Sequence, residues 1–290
     1  MNGQHTAEVD RPSATTISPQ WRPPVFALGW QRTKIEIAVL AQDYLSLFLV
    51  LFFPALLMLL FGAIFDDMPP LPGPDGQTLS VAQTYLPGLL AVGAALSGFQ
   101  NLTGYVAVDR FNGTIRRLSA TPLPEVSYFL GKIGMTLILV IIQSILLLLV
   151  ATLVFDASLP TDPLRWAVIV GVMLLSTAAG AVLGIALASV ARTEQAGATL
   201  AVVPTMVLSF ISGVYMLPSL LPDWLLGISA VFPLRWTAVG LQYAFLPEWA
   251  FDAPEMKTAD PWLGVGIIAA WFVLGLILAM KTFKWKQNGS

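Results

Sequence analysis

Long stretches without any charged residue alternate along this chain with short polar segments. Six of these stretches are long enough to form membrane helices: 44–65, 76–108, 133–155, 166–191, 195–222 and 261–280. A helix of roughly 20 apolar residues crosses a hydrocarbon core of about 30 Å. In the second stretch the apolar part begins near Val81. The pattern therefore predicts an all-α polytopic membrane protein with six transmembrane helices.

A further apolar stretch lies between spans five and six, but Arg235 and several prolines interrupt it. A continuous span here would place Arg235 near the middle of the membrane, at about 2.5–3.5 kcal/mol on insertion scales. We therefore predict an outer re-entrant helical hairpin over 216–247, with a seventh span as the alternative. Its marked residues are Gly213, Pro218, Pro222, Trp224, Pro233 and Arg235. For Arg235, an interfacial side chain that reaches lipid phosphate is favoured over contact with an anionic substrate group.

The N-terminal part divides into two segments. Residues 1–24 are polar and contain four prolines, which predicts a disordered cytosolic tail. Residues 25–42 have helical periodicity, which predicts an amphipathic helix lying along the membrane surface, with a cytosolic extension of the first span as the alternative. The predicted apolar face contains Phe26, Trp30, Thr33, Ile37, Leu40 and Tyr44, and the polar face contains Arg32, Glu36 and Asp43. Residues 43–285 then form the six-span domain, followed by a cytosolic tail, 286–290.

The distribution of basic residues predicts the orientation. Six spans place twelve of the fifteen Lys and Arg residues on one side, and only Arg165, Arg235 and Lys257 on the other. Basic residues accumulate on the cytoplasmic side of membrane proteins. We therefore expect a multi-pass protein of the cell membrane with both termini in the cytoplasm.

Composition excludes several functional classes. Hydrophobic residues make up 56% of the chain and charged residues 11%, with a net charge of −2, so nucleic acid is not an expected partner. The chain has no cysteine and a single histidine, which leaves no zinc cluster and no histidine-based catalytic triad. We therefore predict no metal site, no catalytic residues and no enzyme activity.

The predicted spans contain no Asp, Glu, Lys, Arg or His. Ion-coupled transporters keep such groups at the membrane midplane, and intramembrane hydrolases need an activated nucleophile. A phosphate-binding loop is missing too, because Gly131-Lys132 is followed by Ile133. We therefore expect that this chain binds no cofactor. Uncharged polar residues could line a pathway, although hydrogen bonding to a neighbouring helix is favoured for each: Gln100, Asn101, Thr103, Thr205, Ser209 and Ser212.

The segment 109–132, between spans two and three, stands apart from its apolar surroundings. It predicts a short cytosolic helix from about Gly113 to Ala120, ended by the prolines that follow. Arg116 and Arg117 supply its charge. A solvated basic loop that only fixes the topology is the alternative, but the ordered turn residues exceed what a topology signal needs.

Three motifs in this chain resemble type-2 ABC exporter permeases of the drug-resistance branch. The first is Asp109–Leu118 with Ala120–Leu123, which resembles the coupling segment of that family. The second resembles its outer hairpin: Ser212–Met216, Pro218, Leu221–Leu225 and Phe232–Leu234. The third is Tyr85–Gly88, which opens span two. Phe111 departs from the family pattern, which often has Glu there.

The resemblance implies a permease subunit of an ATP-driven exporter. In such exporters two permeases, identical or different, form a dimer, and each docks through its coupling helix on a separate ATP-binding cassette subunit that holds ATP and Mg. The coupling residues would be Asp109, Arg110, Asn112, Gly113, Thr114, Arg116, Arg117, Leu118, Thr121 and Pro122. The apolar spans favour a hydrophobic drug, antibiotic or lipid as substrate, moved from the cytoplasm or inner leaflet. A non-catalytic membrane scaffold or channel subunit is the alternative.

Overall fold

A computed structural model describes residues 24–65, 69–216, 218–253 and 260–283. Most of the predicted N-terminal tail and all of the predicted 286–290 tail lie outside these residues. The helices are α1 (Val25–Leu40), α2 (Tyr44–Ile64), α3 (Val81–Ala95), α4 (Leu102–Phe111), α5 (Thr114–Ser119), α6 (Glu125–Phe155), α7 (Pro163–Val190), α8 (Glu194–Ile211), α9 (Asp223–Ser229), α10 (Pro233–Phe245), α11 (Glu248–Phe251) and α12 (Pro261–Thr282). A π-helical segment, Leu96–Asn101, joins α3 to α4, and two short strands, β1 (Leu71–Pro72) and β2 (Thr78–Leu79), pair antiparallel.

Within the described residues, six helical stretches are long and apolar enough to cross a membrane: α2, α3 to α4, α6, α7, α8 and α12. Their outer faces expose large apolar side chains, such as Phe48 and Leu49 of α2 and Val203 and Met206 of α8. Such continuous apolar exposure suits lipid and not water. The predicted all-α polytopic membrane fold with six spans is confirmed.

The second span, from Val81 to Phe111, is the most buried of the six. It packs against α2, α6, α7 and α10. At the π-helical segment its backbone approaches α7 so closely that glycines are required. A Cβ on Gly184 would lie 2.9 Å from the carbonyl oxygen of Phe99, and one on Gly98 would lie 2.9 Å from the carbonyl oxygen of Thr177. Small residues at membrane helix contacts permit this kind of approach.

The segment between spans five and six is sharply bent. α9 and α10 turn through 100° where they meet, so they do not form one straight helix. Pro233 is the first residue of α10, where its missing N–H leaves no hydrogen bond unmade. α10 is almost entirely buried and packs against α3, α7 and α12. The prolines therefore place a helical break where the sequence predicted one.

The six spans connect two opposite ends of the molecule. At one end the C-terminus of α7 meets α4, since Arg110 donates hydrogen bonds to the carbonyls of Ala188 and Ala191. At the other end the loops meet, since Arg165 donates to the carbonyl of Leu246. The first end carries α1 and α5 and is called the α5 end below.

Candidate functional site

The helix α5 is held by a self-contained turn at its start. Gly113 precedes it with φ of +78°, a conformation that favours glycine. The side-chain oxygen of Asn112 accepts hydrogen bonds from the backbone N–H and the hydroxyl of Thr114, at 3.0 and 2.7 Å. Arg117 closes the turn by donating to the carbonyl of Asn112 and to the hydroxyl of Thr114. The turn therefore fixes the direction in which α5 leaves span two.

The two faces of α5 differ in character. On the inner face Ile115 is 3% exposed and packs with Tyr128 at the start of α6. Phe283, after the end of α12, also packs against this cluster. On the outer face Arg116, like Thr121 and Pro122 after the helix, is exposed. α5 therefore presents a small polar surface while its base rests on two spans.

A buried charge cluster lies beneath α5. The Lys132 ammonium is 2.7 Å from a carboxylate oxygen of Glu36 on α1 and 2.7 Å from one of Asp109 on α4. Glu36 also pairs with Arg32, one helical turn earlier, at 2.5 Å. The hydroxyl of Tyr128 donates to Asp109 at 3.0 Å. Buried charges are stable only when paired, so this cluster fixes α1, α4 and α6 relative to one another.

Glycines on α6 bring α1 close enough to form these ion pairs. Gly131 lies directly against Arg32, and Gly134 directly against Thr33, leaving no room for a side chain at either glycine. The hydroxyl of Thr33 is buried and donates to the carbonyl of Gly29 on its own helix. α1 and α6 consequently pack along each other over much of α1.

This packing corrects the predicted position of one residue of α1. Glu36, which was assigned to the polar face, is buried, while Phe26 and Trp30 of the predicted apolar face are 79% and 55% exposed on the protein, as residues that contact lipid would be. The reason is that α6 binds the face bearing Gly29, Thr33, Glu36 and Leu40. The helix itself occupies most of the predicted segment.

Sequence reasoning missed Glu36 and Lys132 as members of the site. Lys132 was taken as the end of the polar segment, yet it lies inside α6, which begins seven residues earlier at Glu125. The signal that could have found it is the pattern Gly131-Lys132-Ile133-Gly134, where small residues flank a single charge at a helix contact. Asp109 and Arg110 were predicted as coupling residues, but the structure places both on α4, facing neighbouring helices and not the outer surface of α5.

A family comparison places this arrangement in context. The family model for the ABC-2 type transporter matches residues 28–246, well over half of the chain and including α5, the charge cluster and the bent pair α9–α10. The chain belongs to the ABC-2 type transporter family. A search of curated proteins finds no match to it. The chain is therefore a multi-pass membrane component of an ABC transporter. The family is one of transport subunits and not of catalytic subunits.

In this ABC-2 chain, three of the six predicted pathway residues are engaged by their own helices. The hydroxyls of Thr103, Thr205 and Ser209 each donate to the carbonyl four residues earlier. Ser212 is buried, and its hydroxyl has no hydrogen-bond partner among the described residues. The remaining two, Gln100 and Asn101, lie half-buried in the π-helical segment.

The predicted outer-hairpin residues surround the bend of the ABC-2 chain. Gly213 has φ of +77°, and a Cβ there would lie 2.8 Å from the buried ring of Pro218. Pro222 precedes α9, and Trp224 is 66% exposed. Arg235 is only 6% exposed, so the predicted interfacial arginine that reaches lipid phosphate is wrong. α10 packs against three helices and encloses this side chain in protein.

Metal-binding geometry is not found in the described part of the chain, where no three His, Cys, Asp or Glu residues group closely enough to hold an ion. The charged cluster at the α5 end contains two carboxylates, and Lys132 lies between them. Its chemistry is therefore that of a structural ion-pair network.

Proposed function

We propose that this chain is the permease subunit of an ATP-driven exporter and that a separate ATP-binding cassette subunit docks on α5. The observation that carries the proposal is the pairing of an exposed polar surface on α5 with a buried base that reaches several helices. ATP and Mg would be held by the partner, since this chain has no phosphate-binding loop. Arg116 supplies an exposed cation for the partner to contact.

The contacts beneath α5 define how a push from the partner would be distributed. Ile115 bears on Tyr128 and so on α6. Arg110 joins α4 to the end of α7 through two carbonyl contacts. The Lys132 cluster carries the movement to α1. Movement of α5 would therefore shift these helices together, because the links are buried or half-buried contacts and packed interiors transmit displacement.

The apolar outer faces of the spans support the proposed dimer and the proposed class of substrate. α2 and α8 both expose large apolar side chains, and a seam between two permeases would bury part of this surface. A seam of this composition suits a hydrophobic drug, antibiotic or lipid, since it offers few partners for many hydroxyl groups. The bent pair α9–α10 would close the seam at the outer end. The excess of basic residues at the α5 end supports a cytoplasmic location for that end and for both termini of a cell-membrane protein.

Arg116→Glu is the variant that tests this proposal. The tagged protein is purified gently from its native membranes, and the preparation is assayed for photolabelling by an azido-ATP analogue and for ATP hydrolysis. We expect a stoichiometric ATP-labelled partner with the parent chain and with Arg116→Lys, and at least tenfold less of it with Arg116→Glu. Arg116 is preferred to Arg117, because Arg117 closes the turn before α5 and its reversal would alter that turn.

A control variant separates docking from a general effect of charge. Ser219→Glu introduces a negative charge at an exposed position between α8 and α9, near the bend that separates spans five and six. It should retain the partner in full. Equal retention by Arg116→Glu, with the protein folded, would contradict docking on α5. Absence of any ATP-labelled partner in all variants would favour the scaffold or channel interpretation.

A further inference from the structure

A long apolar slot runs along α7, between α8 and α12, inside a single copy of the chain. It has a volume of about 370 Å³, within the range of sites that hold small ligands. Its α7 wall extends from Ser176 to Val190, about 21 Å at the helical rise of 1.5 Å per residue, and its α12 wall from Trp271 to Thr282, about 17 Å. One leaflet of a hydrocarbon core is about 15 Å deep. The slot therefore has the length of an extended acyl chain.

The polar side chains of the lining take part in hydrogen bonds within the protein, which leaves few groups to orient a ligand with hydroxyls or amides. The hydroxyl of Thr205 donates to its own helix at 2.8 Å, and that of Thr282 does the same at 2.8 Å. Thr237 donates to the hydroxyl of Ser176. The indole N–H of Trp271 donates to the carbonyl of Val231 at 2.7 Å, so only its ring is presented to the slot. What remains is hydrocarbon, which favours a hydrocarbon ligand.

The slot ends at the same end of the molecule as α5, and that end is basic. Val190 and Leu278, which line it there, are 58% and 39% exposed, so the slot is accessible from the surrounding lipid. Arg192 follows two residues after Val190, and Lys281 directly precedes Thr282. Both basic side chains are exposed. A headgroup placed at this mouth would therefore lie near two positive charges.

From these observations we propose that the slot binds one acyl chain of an anionic phospholipid whose phosphate contacts Arg192 and Lys281. The lipid would enter from the leaflet on the α5 side. Its acyl chain would lie between α7, α8 and α12, along the part of α7 that extends from the contact with the π-helical segment to Val190. The residues that line the site all belong to one copy of the chain. The proposal does not rest on coupling to ATP, so either can fail without the other.

Photo-crosslinking tests the acyl-chain site directly. The full chain is placed in nanodiscs of phosphatidylcholine containing one part in ten of phosphatidylglycerol with a diazirine near the middle of its acyl chain. Crosslinked peptides are then mapped by mass spectrometry. We expect adducts concentrated at 183–190 and near Leu278. Ala186→Phe, which fills the slot, should lower these adducts at least fivefold, whereas Val170→Phe, on the exposed face of the same helix, should leave them unchanged.

The headgroup contact is tested with Arg192→Gln and Lys281→Gln. Each should lower the preference for phosphatidylglycerol over phosphatidylcholine about fivefold, since one basic residue near an anionic surface contributes about 1 kcal/mol. Lys34→Gln, an exposed cation on α1, should leave the preference unchanged. Adducts spread evenly over all lipid-facing helices, or insensitive to Ala186→Phe, would overturn the site. Displacement of the adducts by a transported hydrophobic compound, with no headgroup preference, would overturn the assignment to phospholipid.

Discussion

Replacing Lys132 by methionine tests the buried charge cluster most sharply, because its ammonium is shared by two carboxylates. Methionine keeps most of the apolar stem and removes the charge. The Lys132 side chain is 3% exposed, and those of Glu36 and Asp109 are 8% and 14% exposed. Removing one partner of a buried ion pair costs about 3–5 kcal/mol. Glu36 keeps its pair with Arg32, so we expect the lower part of that range, about 3 kcal/mol of unfolding free energy.

The assay is thermal unfolding of the purified protein in detergent, followed by tryptophan fluorescence. A loss of about 3 kcal/mol corresponds to a fall in Tm of about 6–12 °C for a large domain. Lys34→Met is the matched control, because it removes an exposed cation from α1 and should shift stability by less than about 0.5 kcal/mol. The double variant Asp109→Asn, Lys132→Met also removes the carboxylate that would lack a cation, while Glu36 keeps its pair with Arg32, so it should recover most of the lost Tm.

Two results would refute this reasoning. A Tm for Lys132→Met equal to that of Lys34→Met would mean that the ion pairs do not hold α1, α4 and α6 together. A double variant as unstable as Lys132→Met alone would mean that the damage comes from lost packing and not from unpaired charge. Either result would also remove α1 from the proposed route by which α5 moves the spans.

Two glycine substitutions test close contacts in different parts of the fold. Each is compared with a control glycine that has no neighbouring atom within 4 Å of an added Cβ. All four variants are measured by the same thermal unfolding assay. Gly184→Ala should destabilise by about 1–3 kcal/mol, because its Cβ would lie 2.9 Å from a carbonyl of the π-helical segment, whereas Gly171→Ala on the same helix should be neutral or slightly stabilising. A harmless Gly184→Ala would show that α7 and span two are not in tight contact. Gly213→Ala should destabilise by about 1–3 kcal/mol through its positive φ and a buried proline ring, and Gly227→Ala, which meets nothing, should not. Equal Tm values for this second pair would contradict the loop conformation before α9.

The spans and the short helix α5 could be predicted because strong local rules decide them. A membrane excludes charge from long apolar helices, so uncharged runs mark the six spans. The turn residues before Thr114 and the prolines after Ser119 bound α5 in the same direct way. Pro233 likewise marks the break before α10.

The contacts among helices could not be predicted, because they depend on which face meets which neighbour. Glu36 has the pattern of a solvated residue until α6 supplies Lys132 to pair with it. Arg235 has the pattern of an interfacial cation, yet the packing of α10 buries it. The π-helical segment at 96–101 inserts one residue into a helix and leaves no periodicity that sequence inspection could detect.

Site-specific crosslinking from α5 tests the central claim most directly. The chain has no cysteine, so Arg116→Cys carries a single thiol on the outer face of α5, and Ser219→Cys carries one on the other side of the proposed membrane region. Both are treated in native membranes with a short bifunctional reagent and an azido-ATP label. We predict a crosslinked ATP-labelled partner from Arg116→Cys and none from Ser219→Cys. No labelled adduct from Arg116→Cys, or equal adducts from both, would contradict a permease driven through α5.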